Sequence, residues 1–483
     1  MRKKLGKYML ILSPEMTNGH LEYKVFIPEN VTKIYFRYSV GKIWEKNAEL
    51  VKKEWEQYSK NHPRYKESPE EDEGIRNLIT VSISSPEKYF GSSHRFVEEE
   101  EITIGQQKST PGFIHGEIES GFWRISINCH AVVSEELFIN CECYCEVNEI
   151  NDSEEALKII NRTKVKKERP LRQVEDLIYH KVELHSHTLH SDANFSTREL
   201  IEAAKKENID YLAITDHNTM APFQEVTLEE GISIIKGMEF TTFFGHVLLH
   251  AAEEFEGFDW TEINKSNLQE ILANLRKKNI FIGVAHPFSM GTPYCTGCQW
   301  NFVLDNLDNI DYIEVWNSFA PHLELCNLDA FSKWTQLLDS GVQIPATAGR
   351  DWHGEENEKA PSSIYVQGTK GANHKEILES IAMGNTYITA GPELKINVND
   401  QYSIGDCLPF GLLSISMEVF NNGFEKATNY RIETNKGVLA KGEVKESIHN
   451  LIDIPEGTLY MRVSFFNQES HRIMFTNPFY FNS

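Results

Sequence analysis

The sequence predicts an α/β protein, with a central parallel sheet or barrel of repeated strand–helix units set between two β-rich regions. Three observations carry this. Apolar residues recur with period two up to about residue 150 and again after Ala390-Gly391-Pro392, whereas strand-like and helix-like runs alternate between 180 and 392. Histidines and acids recur at the ends of the central strands or just beyond them, as when a barrel builds one centre from many strand ends. A length of 483 residues exceeds one ordinary core and, at roughly 100 to 200 residues per domain, suggests about three domains.

Residues 1–150 are expected to form an N-terminal β-sandwich-like domain. Candidate strands are Tyr23–Ile27, Lys33–Ser39, Leu78–Ser84, Phe122–Ile127 and Glu136–Glu146, separated by Pro, Gly, Asn and Ser clusters. Val40 to Glu73 interrupts them with charged and aromatic residues and reads as a helix plus a loop. Cys141, Cys143 and Cys145 alternate as on one strand face and read as small buried hydrophobes. Residues 151–179 read as a charged linker; its run Lys164 to Pro170 suits a solvated connection better than a basic patch.

Residues 180–392 carry the alternating pattern. Ser196-Thr197-Arg198-Glu199 is a capping box before Leu200, Ile201, Ala203 and Ala204, and Tyr211–Thr215 is the next strand. A helix over Leu268–Lys278 precedes a strand over Ile280–Ala285, and a helix over Leu323–Leu338 precedes one over Gln343–Ala348. A last helix, His374–Met383, stops at Gly384, where a left-handed cap is expected. Residues 393–483 return to period two in Leu394–Val398, Leu412–Phe420, Asn429–Thr434 and Leu459–Phe465, which predicts a C-terminal β-sandwich of about seven strands at most.

Hydrophobic residues make up 40% of the chain, enough for a packed interior, and the formal charge is -23 at pH 7. That charge repels phosphate backbones, so no long nucleic acid is expected as a partner. The apolar piece Tyr8–Leu12 is shorter than the roughly 7 to 15 residues of a signal peptide, and no run approaches the ~18 needed to span a bilayer. A cytoplasmic protein without membrane contact is expected. Eight cysteines in a chain of this length do not make a disulfide framework.

The most informative stretch is Val182-Glu183-Leu184-His185-Ser186-His187. In a β-strand, residues i and i+2 project from one side, so His185 and His187 can grip one metal ion while Val182 and Leu184 face the opposite layer. Further candidate ligands follow in Asp192, His217, Glu239, His250, His286, Asp351 and His353. A single strand-end histidine is ordinarily a satisfied core residue; the joint occurrence reverses that reading. Imidazole and carboxylate together suit borderline divalent ions and disfavour Mg and Ca, which prefer oxygen shells. His190, Asp216 and His246 are equally polar and lie near the motifs, but each reads first as an ordinary polar residue without a direct role, with hydrogen bonding to the ligands as the lesser alternative.

His185-Ser186-His187-Thr188 with Asp192, Thr215-Asp216-His217, Gly237-Met238-Glu239, His250, Ala285-His286-Pro287 and Asp351-Trp352-His353 resemble the ordered motifs of the PHP (polymerase and histidinol phosphatase) superfamily. The flanking β regions and Gly391-Pro392 are most similar to its carbaryl-hydrolase-like (CehA/McbA) branch. The resemblance implies a distorted (β/α)7 PHP barrel, flanked by N-terminal and C-terminal β-sandwich domains and holding two or three divalent metal ions (Zn, Mn or Fe). It implies that His185, His187, Glu239 and Asp351 hold the first ion, Glu239, His250 and His286 the second, and Asp192, His217 and His353 the third, with Glu239 bridging. The sequence departs from the family pattern at Arg350, where a small residue is common, at Trp352, and at Ala193, where glycine is frequent. Arg350 either neutralises a phosphate or pairs with an acid outside the pocket.

The leading functional reading is a phosphoesterase, in which a metal-bridging hydroxide attacks a small phosphate ester with Glu239, Asp351 and Arg350 in the catalytic machinery. The runner-up is hydrolysis of a carboxyl or carbamate ester on the same centre. A short-oligonucleotide exonuclease and a catalytically silent binding protein, whose flanking β domains contact a glycan or a protein, are the other readings. Cys295-Thr296-Gly297-Cys298 reads as a loop shaping the pocket rather than a zinc ribbon or a redox motif, and Asn317 as a substrate contact.

Overall fold

The computed structural model describes residues 2–64, 74–147, 177–226, 231–251, 258–291, 293–302, 307–356 and 359–481. The expected linker 151–179, with Lys164 to Pro170, lies outside the described residues except for 177–179.

The N-terminal region contains β1 (Lys3–Leu12), β2 (Gly19–Ile27), β3 (Val31–Val40), β4 (Trp44–Glu45), α1 (Ala48–Asn61), β5 (Ile75–Arg76) and β6 (Leu78–Ser84). It continues through β7 (Tyr89–Ser93), β8 (Glu99–Gly105), β9 (Gly121–Ala131) and β10 (Leu137–Val147). Eight of these strands pair into two antiparallel sheets, β1-β10-β3-β8 and β2-β9-β6-β7. Strand alternation fixes the inner faces: Phe36 and Tyr38, Cys141 and Cys143, Val25 and Ile27, and Val81 and Ile83 share one apolar cluster. The opposite face of the second sheet is polar yet also buried, with Thr80, Ser82, Ser92, Asn128 and His130 upon it. Such a face normally meets water. Here the central region covers it, and Trp260 Nε1 donates to Ser82 Oγ at 3.1 Å.

The central region begins with β11 (Leu177–Glu183), α2 (Thr197–Lys206), β12 (Tyr211–Ile214), β13 (Ser233–Thr242), β14 (Gly245–Ala251) and α3 (Leu268–Lys277). Then come β15 (Phe281–Val284), β16 (Tyr312–Asn317), α4 (Leu325–Asp339), β17 (Ala346–Gly349), β18 (Ser363–Thr369), α5 (His374–Ala382) and β19 (Thr386–Thr389). The capping box at Ser196 starts α2 as expected, and Gly384, at φ 73, follows α5 in the left-handed region. One sheet runs β17-β16-β15-β14-β13-β12-β11-β18-β19.

The expected regular strand–helix alternation is only partly present. β14 runs antiparallel to both β13 and β15, because Phe243 and Phe244 turn the chain in a tight hairpin. Among the described residues no α-helix separates β12 from β13 or β15 from β16. The chain just past β11 nevertheless meets the chain just past β17. Ser186 bridges Trp352 in parallel, His187 N donates to Trp352 O at 3.0 Å, and Trp352 N donates to His185 O at 3.2 Å. The first and last of seven strands therefore come together where His185 and His187 stand.

The C-terminal region adds β20 (Glu393–Val398), β21 (Cys407–Leu408), β22 (Leu412–Phe420), β23 (Asn429–Thr434) and β24 (Gly437–Glu443). It ends with β25 (Ser447–Asp453), β26 (Tyr460–Phe466), β27 (Arg472–Thr476) and β28 (Phe479–Phe481), so nine strands replace the expected seven. β20-β22-β25 form a separate sheet, whereas β27 pairs antiparallel with β19 and carries the central sheet on through β26, β23 and β24. Main-chain pairing thus crosses the expected border at 392/393. No helix among the described residues is long and apolar enough to cross a membrane.

Buried Asn477 locks this junction. Its Nδ2 donates to Ala346 O at 2.8 Å and to Thr386 Oγ1 at 2.5 Å, and its Oδ1 accepts from Ala346 N at 2.8 Å. Asn477→Ala leaves the buried N–H and C=O of Ala346 unpaired and is expected to cost about 2 to 4 kcal/mol. Urea unfolding measures this, and an unchanged midpoint would show that the clamp contributes nothing.

Candidate metal centre

His185 and His187 stand just beyond β11, fixed there by the backbone bridges to Trp352. Each ring gives its outer nitrogen to a protein acceptor. His185 Nδ1 lies 3.1 Å from Glu314 Oε1. His187 Nδ1 lies 3.3 Å from Ser191 Oγ, and that hydroxyl donates to Asp216 Oδ1 at 2.6 Å. With a proton on each outer nitrogen, the inner nitrogens present lone pairs. Those lone pairs face carboxylates: His185 Nε2 is 3.2 Å from Glu239 Oε2 and 3.3 Å from Asp351 Oδ1, and His187 Nε2 is 3.3 and 3.0 Å from the same atoms.

All four atoms are buried without a hydrogen-bond partner among the described residues. Lone pairs turned toward carboxylate oxygens repel unless a cation lies between them. Tetrahedral ligands about 2.0 to 2.2 Å from a divalent ion lie about 3.3 to 3.6 Å apart, close to the spacing seen here. The donor set therefore fits a metal ion.

Glu239, fully buried on β13, turns its other oxygen to a second group. Its Oε1 is 2.7 Å from His246 Nδ1 and 3.0 Å from His286 Nε2. His246 directs Nε2 to Thr296 O at 3.2 Å, which leaves Nδ1 as the lone-pair atom. The structure does not bring His250 to this group, and His246 stands where His250 was expected. The reason is strand direction. In antiparallel β14 the N-terminal end, not the C-terminal end, lies beside the ends of β13 and β15, so His246 reaches the centre and His250 sits further down the sheet. There His250 Nε2 meets the Tyr312 hydroxyl at 2.5 Å, and burial pushes the imidazole down to about 3.

Asp192, His217 and His353 come together as a third group, joined by His187. His353 Nε2 is 3.0 Å from Asp192 Oδ1, and His217 Nε2 is 3.5 Å from Asp192 Oδ2. His353 Nδ1 donates to Asp351 O at 2.6 Å, and His217 Nδ1 contacts Thr241 Oγ1 at 2.6 Å. Asp351 itself holds φ 52, an uncommon conformation for a residue other than glycine. Burial alone would raise the Glu239 and Asp351 carboxyls. The adjoining imidazoles, His217 and His185 for Glu239 and His185 and His353 for Asp351, hold both well below the ordinary range.

Arg350 requires correction. Its guanidinium, 1% exposed, has Nε 3.0 Å from Glu183 Oε2 and Nη2 2.7 Å from Glu207 Oε2, with Trp352 against its face at 4.6 Å. Of its two open roles, pairing with acids outside the centre is the one realised. Alternation explains it: Gly349 faces His185 and Glu314, so Arg350 points to the other side. Asn317 likewise serves the scaffold, donating through Nδ2 to Glu314 Oε2 at 3.2 Å. Asp216 secures the 188–191 turn, accepting from Thr188 N and Thr188 Oγ1, both at 2.8 Å. Cys295 and Cys298 are joined as a disulfide, and the Thr296 carbonyl between them orients His246.

Glu314 was not anticipated. It accepts from His286 N at 2.9 Å besides facing His185 and Asn317. The available signal was its acid in the otherwise uncharged run Tyr312 to Asn317.

Residues 183–295 match the PHP domain. The PHP span includes seven of the nine expected ligand positions and stops before Asp351 and His353. Among solved structures, a two-domain protein of Bacteroides vulgatus, described as containing a predicted PHP-like metal-dependent phosphoesterase, is similar at 14% identity. That match covers 65% of this chain and 99% of the other, with a TM-score of 0.36. A Bifidobacterium adolescentis protein, proposed to be a metal-dependent phosphoesterase, is similar at 16% identity over 41% of this chain and 96% of its own, with a TM-score of 0.28. An amidohydrolase of Chromobacterium violaceum with bound sulfate and no metal is similar at 16% identity over 36% and 87%, with a TM-score of 0.22. No curated protein matches the sequence.

Two substitutions test these assignments. Glu314→Gln is expected to weaken metal binding about 10- to 100-fold by removing the anionic acceptor of His185, as read by chelator competition. Arg350→Met leaves the buried Glu183 without its cation, held only by the main-chain N–H groups of His185 and residue 350, and is expected to destabilise the fold by about 3 kcal/mol in urea unfolding while metal content stays unchanged.

Proposed function

We propose that this chain is a metal-dependent hydrolase, foremost a phosphoesterase acting on a small phosphate ester, of the carbaryl-hydrolase-like branch of the PHP superfamily. The observation that supports it most is the division of Glu239: Oε2 turns to His217, His185 and His187 at 2.9 to 3.3 Å, and Oε1 to His246 and His286 at 2.7 and 3.0 Å. A carboxylate can serve two ions through its two oxygens, which a neutral imidazole cannot. The PHP match over 183–295 agrees with this reading. The proposed units are 1–150, a connection over 151–179, the hydrolase domain 180–392 and a C-terminal domain 393–483.

In this proposal His185, His187, Glu239 and Asp351 hold one divalent ion (Zn, Mn or Fe), and Glu239, His246 and His286 a second. Asp192, His217 and His353, with His187 beside them, hold a third. Such ions supply Lewis acidity toward a departing oxygen and lower the pKa of water toward neutrality. The chain does the rest. Glu314, Ser191 and Thr241 fix the ring protons so that the inner nitrogens face the centre. Asp351, Asp192 and His353, with side chains 26%, 27% and 36% exposed, form the open side across which substrate enters. The fully buried His185, His187 and Glu239 keep bulk water from the opposite wall.

A carboxyl or carbamate ester is the second reading. It is favoured by the engagement of Arg350 with Glu183 and Glu207, which removes that guanidinium from phosphate recognition.

Elemental analysis with a hydrolysis screen on phosphomonoesters, phosphodiesters and carboxyl or carbamate esters, using Mn, Zn, Fe and Co, tests both readings. Metal-dependent phosphoester turnover is expected, with Glu239→Gln losing metal and at least 100-fold in rate, about the 2.7 kcal/mol attributed to a single electrostatic group. Ester turnover alone would transfer the assignment to the second reading. Wild-type metal content and rate in Glu239→Gln would sink the bridging role.

A further inference from the structure

The sheet β2-β9-β6-β7, through Tyr89, and the loop joining β8 to β9, through Gly112 and His115, grip two of the loops that supply the third group. Tyr89 OH donates to Asn218 O at 3.0 Å, one residue after His217. Gly112 N donates to His190 Nδ1 at 3.2 Å in the turn that leads to Asp192. His115 N donates to Gln224 Oε1 at 2.8 Å, and Gln224 Nε2 returns a bond to His115 O at 2.9 Å. Gly112 is required there: its φ is +92, and a Cβ would lie 2.5 Å from Ser92 O and 3.0 Å from His190 O.

At the middle of this contact lies His94, one residue beyond β7 and 2% exposed. Its ring stacks on His217 with centroids 4.2 Å apart and planes 29° apart, while Phe96 and His130 meet it edge-on at 4.9 and 5.9 Å. Its Nδ1 is buried without a hydrogen-bond partner among the described residues, so that atom does not tie His94 to its own domain. On His217, Thr241 and Glu239 engage Nδ1 only. A contact at one ring atom leaves the plane free to swing about it. The faces of His94 and of His187, the latter at 4.5 Å, limit that swing and keep Nε2 directed toward Asp192.

We propose that the N-terminal β domain is a working part of the metal centre, and that His94 is a positioning residue which holds the His217 ring plane for the third ion. This rests on the metal-dependent reading above and extends it by assigning an N-terminal residue to one particular ion site. The aromatic face, not the imidazole nitrogen, is what the role requires.

The test uses the full chain loaded with Mn²⁺ or Zn²⁺, with ions per chain from elemental analysis and the affinity of the weakest-bound ion from chelator competition. His94→Leu keeps the volume without the ring and is expected to weaken that ion about 10- to 100-fold while the other ions stay bound. His94→Phe is expected to restore it. Equal ion content and affinity in wild type and His94→Leu would overturn the proposal, as would a His94→Phe chain as deficient as the leucine variant. A wild-type chain that takes up no metal would instead remove the metal-dependent reading itself, a different result from a loaded wild type matched by His94→Leu. Should circular dichroism show His94→Leu unfolded, Tyr89→Phe carries the test, since it keeps every ring and removes only the hydroxyl held by Asn218 O. A weaker third ion is then expected, and unchanged affinity overturns the proposal.

Discussion

A carboxylate with no solvent exposure must be matched by positive charge or by donors, and Glu239 is such a group. Its two oxygens draw in imidazoles from five places along the chain: His185, His187, His217, His246 and His286. Delivering five rings to one carboxylate constrains the backbone far from it. β17 can press against His185 only because Gly349 has no side chain, since a Cβ there would lie 2.4 Å from Glu314 Oε1 and 2.5 Å from His185 Cβ. Asp351 then accepts a left-handed backbone two residues later, an uncommon conformation retained where a carboxylate must reach the same point.

Much of this was legible because local chemistry and tertiary structure agree. β6, β22 and β23 lie where period two places them, and the Ser196 and Gly384 signals begin and end their helices as their capping chemistry dictates. Strand direction was not legible. His246 and His250 share a face of β14, so the residue pattern treats them alike, and only the reversal at Phe243-Phe244 decides which reaches the centre. Arg350 was ambiguous for a related reason, because its motif neighbours point inward while alternation sends it outward to Glu183. β7 and β8 carry little period-two signal, and β1 is apolar without alternation over Tyr8–Leu12, so none of the three reads as a half-buried strand. His94 had no local signal at all, since its meaning lies in contact with a residue more than a hundred positions away.

The N-terminal sheet shows how a polar strand face can be an interior feature. Thr80, Ser82, Ser92, Asn128 and His130 would suit solvent, yet they are buried and cross-bonded: Asn128 Nδ2 reaches Thr80 Oγ1 at 3.1 Å and Ser82 Oγ at 3.0 Å. Buried polar networks of this kind fix one relative arrangement more sharply than apolar contact does, because a shift leaves donors unmatched. That suits a surface whose neighbours include the loops that carry Asp192 and His217.

The pairing of β27 with β19 has a consequence for where this chain can be divided. Tyr460 and Phe475 belong to the same apolar cluster as β13 and β16, and Phe475 packs on Trp316 at 5.1 Å. A chain stopped at residue 392 would lose these rings and present the N–H and C=O groups along β19 as an open sheet edge. Such an edge is a template for other chains, so the separated central region would tend to assemble with copies of itself rather than stay dispersed.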